Sequence, residues 1–269
     1  MSEQKPLAAD SADPPVLETH DKGVATVRLN RPQALNVMSP DVRAYFEQRI
    51  PELVADPKVR CILITGSGKA FCAGGDIRTM GLSDPASVKA RMESFHAWAR
   101  HLLEGATPVV TAVNGTAAGS GFALALMGDI MVASSGATFR AGFTRIGVCP
   151  DLGIGFLLPR AVGAQRARDL LLTNRVVDSK EAKEIGIASR VVSDDQLMQE
   201  AMSVARTLAD GPPLAIGLTR MLVRRSFETS WSSFVEVEAV AQAAAFSSVE
   251  KAEGIGAFLE KRKPNFGNN

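Results

Sequence analysis

Two stretches decide the reading of this chain: Lys69-Ala-Phe-Cys-Ala-Gly-Gly-Asp-Ile77 and Ala112-Val-Asn-Gly-Thr-Ala-Ala-Gly-Ser-Gly-Phe-Ala123. Each follows an apolar, β-branched run and leads into an expected helix, so each sets free backbone N–H groups at a strand-to-helix junction. Brought together, two such junctions make a cradle for one developing negative charge, which points to chemistry through an oxyanion. In the first stretch the expected donor is the N–H of Gly75, with Ala73 and Gly74 leaving room for a ligand beside the chain. In the second it is the N–H of Ser120, at the start of the helix Phe122-Ala-Leu-Ala-Leu-Met127.

Around these junctions strand and helix alternate. Val24-Ala-Thr-Val-Arg-Leu-Asn30 reads as a half-buried strand, and Ser39-Pro40 opens an amphipathic helix to about Ala55. Val59-Arg-Cys-Ile-Leu-Ile-Thr65 and Val109 to Val113 are strands closed by Gly66-Ser-Gly68 and Asn114-Gly115; Ile130 to Ala133 is a further short one. A helix over about Val88 to Leu103 joins these units. Beyond Gly163 the pattern is helical: Ala164 to Thr173, Asp178 to Ile185 with the capping-box spacing Asp178-Ser-Lys-Glu181, Asp194 to Ala209, and Pro213 to about Phe227. Between Ser230 and Lys263 the apolar positions exceed what one solvated helix carries, so this surface is expected to pack on another subunit.

The 269 residues are 46% apolar and carry 30 basic against 29 acidic residues, a formal charge of +1. That balance supports one large core and gives no reason to expect a nucleic-acid or membrane partner. Three cysteines make a disulfide framework improbable, and no clustered Cys/His pattern suggests a metal. Residues 1–15 are polar and Pro/Ala-rich without a secretory pattern, and read as a disordered tail on a cytoplasmic protein. No apolar run approaches a membrane span.

Five separated motifs resemble the crotonase, or enoyl-CoA hydratase/isomerase, superfamily: Leu29-Asn-Arg-Pro-Gln-Ala-Leu-Asn36, Phe71-Cys-Ala-Gly-Gly-Asp-Ile77, Ala112-Val-Asn-Gly115, Gly128-Asp-Ile130, and Glu253-Gly-Ile-Gly-Ala-Phe-Leu-Glu-Lys-Arg262. The resemblance implies an α/β fold: a crotonase-like spiral of ββα units over 16–200 and a helical trimerisation region over 201–269. It implies a homotrimer or dimer of trimers and an acyl-CoA thioester substrate, with no cofactor beyond the coenzyme A of the substrate. By the same resemblance Gly75 and Ser120 bind the thioester oxygen, Ala34, Leu35, Ala73, Asp76 and Ile77 line the CoA groove, and Phe258 and Lys261 reach a neighbour's adenine end. Gln33 stands where many relatives carry lysine, with Arg78 as the expected substitute.

The two glutamates of family hydratases are matched here by Ala123 and Phe143. No glutamate occurs between Glu104 and Glu181, and the acids of that interval are Asp129, Asp151, Asp169 and Asp178. Asp129 reads as structural, Asp169 lies on an expected helix and Asp178 at a cap. Asp151, in Gly147-Val-Cys-Pro-Asp-Leu-Gly153, lies between apolar residues at a loop-to-helix turn, where desolvation should raise its pKa. Its segment is similar to family members that shift double bonds, so Asp151 is the expected acid/base. Phe143, Trp98 and Met80 are candidates to shape the acyl pocket. Three alternatives stay open: an enoyl-CoA hydratase; a thioester hydrolase, whose relatives pair the aspartate with a glutamate absent here; and a CoA- or RNA-binding relative without turnover.

Overall fold

The computed structural model describes residues 13–81 and 84–267. The first described element is β1 (Val16–Asp21), followed by β2 (Val24–Leu29), α1 (Pro40–Ala55), β3 (Cys61–Gly66), β4 (Ala70–Cys72) and α2 (Pro85–Glu104). Then come β5 (Val109–Val113), β6 (Thr116–Ala118), α3 (Ser120–Ala125), β7 (Ile130–Ser134), β8 (Thr138–Arg140), α4 (Ile154–Val162) and α5 (Ala164–Thr173). The chain continues through β9 (Val177–Asp178), α6 (Ser179–Glu184), β10 (Arg190–Val192), α7 (Leu197–Ala209), α8 (Pro213–Arg225), α9 (Trp231–Phe246) and α10 (Val249–Glu260).

Three successive turns of chain each place one strand in a large sheet, the next in a small sheet, and then a helix: β3-β4-α2, β5-β6-α3 and β7-β8-α4. The large sheet runs β1-β2-β3-β5-β7-β10, parallel except for β1; the small one runs β4-β6-β8-β9, with β9 antiparallel. The spiral of ββα units expected from the motifs is therefore present. Side chains of β3 alternate between two cores: Ile62 and Ile64 join the one enclosing α1 and α2, while Cys61 and Leu63 meet Leu197, Ala201, Val204 and Ala205 of α7. Burial on both faces is why this parallel strand reads as an unbroken apolar run.

The asparagines of the first and third motifs fasten the turns between the sheets. Asn36 donates to the carbonyls of Ser67 (2.9 Å) and Ala70 (2.7 Å); Asn114 donates to Gly68 and Ala70 and accepts from the Gly66 N–H. The tail expected over 1–15 lies mostly outside the described residues; Asp13 and Pro15 accept hydrogen bonds from Arg31 and Asn30. One expectation needs correction. Glu181 gives its carboxylate to Arg175, so only the Asp178 half of the capping box forms. The apolar stretch from Ser230 to Lys263 folds as two helices, α9 and α10, separated at Ser247-Ser248, where Ser248 caps α10 through the Lys251 N–H. Among the described residues no helix is long and apolar enough to cross a membrane.

Candidate active site

The connections after β4, β6 and β8 open on the same side of the small sheet, and their residues line two adjoining cavities. An inner chamber of about 30 Å³ is walled by Gly75, Asp76, Met80, Arg91, Met92, Phe95, Trp98, Ser120, Asp151 and others. An outer groove of about 310 Å³ shares Gly75, Met80, Arg91, Met92, Ser120 and Asp151 with it and adds Ala73, Ile77, Phe143, Cys149 and neighbours. Residues 75, 120 and 151, far apart in sequence, thus meet on one wall.

Gly75 and Ser120 are adjacent: a Cβ built on Gly75 would lie 4.0 Å from Ser120 Oγ. Ser120 is the first residue of α3, after Gly119 at φ +54°, so its N–H has no acceptor within the helix. Among the described residues neither the Gly75 nor the Ser120 N–H meets a protein acceptor. Two free main-chain donors at one point are the geometry for gripping a carbonyl oxygen as it gains charge. Close packing holds them there: α3 crosses β4 at Gly121, directly against the Cys72 carbonyl, and Met38 N–H donates to Gly74 O at 2.8 Å.

Asp151 is half-buried, and its Oδ1 is sealed from solvent without a hydrogen-bond partner. Burial pushes its pKa up, opposed by the positive charges of Arg91 and His96. It does not cap α4; that position belongs to Gly153, after Leu152 at φ +48°. The three other aspartates of the interval have structural work. Asp129 accepts from Val109 N–H and Arg220, Asp169 pairs with Arg175 at 2.7 Å, and Asp178 caps α6. The one other acid on the chamber wall, Asp76, is taken: Arg78 donates Nε to Oδ1 at 2.9 Å and Nη2 to Oδ2 at 2.7 Å. These bonds hold the Asp76 carboxyl below its usual range.

The Arg78 guanidinium, the expected substitute for a lysine at position 33, is held by Asp76 through Nε and Nη2. Ala34 and Leu35 stand beside the groove, where Ala73 N–H donates to Leu35 O at 3.0 Å, and Leu35 and Ile77 are exposed. Phe143, Met80 and Trp98 line the cavities as expected. Phe258 and Lys261, at the end of α10, are not among the residues that line them; Phe258 is 82% exposed. Arg91, Met92 and Phe95 were not foreseen. Their signal, a one-turn patch of a charged and two apolar residues on α2, has no sequence link to residue 151. Among the described residues no group of three or more His, Cys, Asp and Glu is placed to hold a metal ion.

A family model described as enoyl-CoA hydratase/isomerase matches residues 19–269. The chain belongs to that family. It is 36% identical over 255 residues to a 1,2-epoxyphenylacetyl-CoA isomerase of Escherichia coli K12, covering 93% of this chain and 97% of the relative. A probable enoyl-CoA hydratase of Mycobacterium bovis is 38% identical over 251 residues, with the same two coverages. The crystal structure of a putative enoyl-CoA hydratase from Streptomyces coelicolor A3(2) superposes with a TM-score of 0.90 at 33% identity, covering all of both chains. The crotonase fold and a role in acyl-CoA processing follow for this enoyl-CoA hydratase/isomerase family member.

Proposed function

We propose that this family member is an enoyl-CoA isomerase that shifts a double bond through an enolate, with Asp151 carrying the proton. One observation carries the reading: Asp151 is the one carboxyl on the chamber wall without a protein partner, and it shares that wall with both free amides. The thioester carbonyl oxygen accepts from the N–H groups of Gly75 and Ser120. A carboxylate at Asp151 removes the proton between the carbonyl and the double bond of a 3-enoyl thioester. The C–H electron pair moves into the bond between Cα and the carbonyl carbon, and the carbonyl π pair moves onto the oxygen held by the two amides, giving a dienolate. The oxygen then returns its pair to re-form the carbonyl, the Cα pair shifts into the Cα–Cβ bond, and the former double bond opens toward its far carbon, which takes the proton back from the Asp151 carboxylic acid; the product is the 2-enoyl thioester. One carboxyl serves both transfers, and no water enters. Each amide contributes about 10²–10³ in rate and the base about 10²–10⁴.

Ala34, Leu35, Ala73 and Ile77 would receive the coenzyme A moiety, and Phe143 the acyl chain. The exposed apolar side chains of α9 and α10, among them Val240, Val249, Phe258 and Leu259, would meet a neighbouring copy in a trimer or a dimer of trimers. The test is turnover of 3-enoyl- and 2-enoyl-CoA by wild type and Asp151→Asn, followed as isomerisation, hydration and thiol release. Isomerisation lost in the variant is the expected result. Hydration that survives the substitution, or prompt release of free thiol, overturns the reading.

A further inference from the structure

The carboxyl just assigned a proton has a companion on α2. Arg91 lines both the inner chamber and the outer groove, as Asp151 does. Its Nε–H is sealed from solvent and without a partner, as is Asp151 Oδ1. One atom can only donate and the other, when ionised, can only accept. Leaving either unmatched in an apolar wall of Met80, Met92, Phe95 and Leu152 costs about 1–3 kcal/mol. No hydrogen bond or ion pair joins them among the described residues, and the chamber of about 30 Å³ that both line is roomy enough to hold a water. A single oxygen that accepts from Nε–H and donates to Oδ1 satisfies both groups.

We propose that Arg91 is the positioning residue of the Asp151 carboxyl, fixing Oδ1 through one bridging oxygen so that Oδ2 is the atom that takes up the proton. The assignment rests on the isomerase reading for its chemistry but not for its geometry. The other charged groups near Asp151 are His96, exposed on the same helix; Arg43 of α1, which lies over the Phe95 ring at 5.6 Å; and Asp76, bound by Arg78. Arg91 is the one among them with a buried unpartnered donor on this wall.

The experiment uses the full chain and begins without substrate. Difference infrared spectra of wild type against Asp151→Asn isolate the Asp151 carboxyl band, which is followed from acid to neutral pH. Arg91→Met is expected to raise the midpoint of that band, because burial then acts unopposed, and to lower kcat on the acid limb at least about 10-fold, the low end for a carboxylate beside an arginine. Arg91→Lys should restore most of both, and KM should change less than kcat. Arg91→Gln, which keeps a donor, carries the comparison where the methionine variant unfolds. A midpoint unmoved in folded Arg91→Met and Arg91→Gln, or one that His96→Gln shifts equally, overturns the assignment. A midpoint that moves in a protein that turns over no enoyl thioester supports it and instead overturns the isomerase reading.

Discussion

A methyl group added at Gly75 and one added at Gly121 should fail for opposite reasons, because the first glycine lines the cavity and the second faces backbone. At Gly121 the new carbon would lie 2.7 Å from both the carbonyl carbon and Cβ of Cys72, and closer still to the carbonyl oxygen. None of those atoms is the free end of a flexible chain, so α3 must move off β4. Overpacking of that kind costs about 1–3 kcal/mol. Because α3 begins at Ser120, its displacement also misaims one amide, for a further loss of about 10²–10³ in kcat. At Gly75 the added carbon meets Met80 Cε, the end of a side chain with freedom to turn away, and then open cavity. Stability should therefore stay within about 1 kcal/mol of wild type. Turnover should still fall about 10²–10³, since the methyl group occupies the space a carbonyl oxygen needs between the two donors. Urea denaturation and steady-state kinetics on the same preparations separate the cases. A Gly121→Ala protein with wild-type midpoint and rate, or a Gly75→Ala protein with full activity, would refute the reasoning.

Asp151→Asn should lower kcat about 10²–10⁴ while raising stability at neutral pH. The carboxyl pKa is higher folded than unfolded, so the folded state binds more protons in that window and stability falls as pH rises through it. The neutral amide escapes that loss, and its melting-temperature advantage should vanish as pH drops below the ordinary aspartate range; an advantage that grows in acid contradicts the assignment. Arg220→Ala should destabilise the protein by about 3 kcal/mol or more in chemical denaturation, because this 10%-exposed side chain ties α8 to Asp129 and to the carbonyls of Gly105 and Leu102. A thiol reagent should modify Cys149 quickly in the native protein, since it is exposed on the groove, and acyl-CoA should protect it. Burial holds Cys72 at about 12 and raises Cys61 as well, so both should react only after unfolding, as a timed thiol count would show.

Where local physics alone sets an element, its bounds were legible. The Ser39-Pro40 start and Ala55 end of α1 match the structure, as does the apolar run of β5. The strands of the small sheet that line the cradle escaped, because β4, β6 and β8 have three residues each and no periodicity can show in so short a span. β1 escaped for another reason. It is an edge strand whose Glu18 is drawn to about pKa 2 by its bond to Arg49, so a polar network replaces the alternation of a packed face. At the site, Gly75, Ser120 and Asp151 were legible because glycine spacing and the scarcity of acids mark them without a partner. Arg91 was not, because its meaning comes from a carboxyl sixty residues later that only the spiral brings beside it.

The spiral divides the labour of the site in a way that bears on which reaction it runs. The two amides come from the ends of β4 and β6, parallel neighbours whose separation is fixed by ladder bonds and by the contact of Gly121 with Cys72. Nothing in that frame depends on a side chain at the reacting carbon. The carboxyl comes instead from the connection after β8, a loop of non-helical turns from Gly147 to Gly153 that contributes no bond to the ladder. On the isomerase reading, a change of acid there, or of Phe143 on the groove wall, would alter proton delivery while leaving oxyanion binding intact. On that reading the ability to stabilise an enolate belongs to the sheet, and the choice between moving a proton and adding water belongs to residues 151 and 143 together with the charge of Arg91. A glutamate introduced at 143, on the groove wall, should accordingly raise hydration relative to isomerisation without weakening acyl-CoA binding, and loss of binding instead would show that the cradle and the acid are not separable.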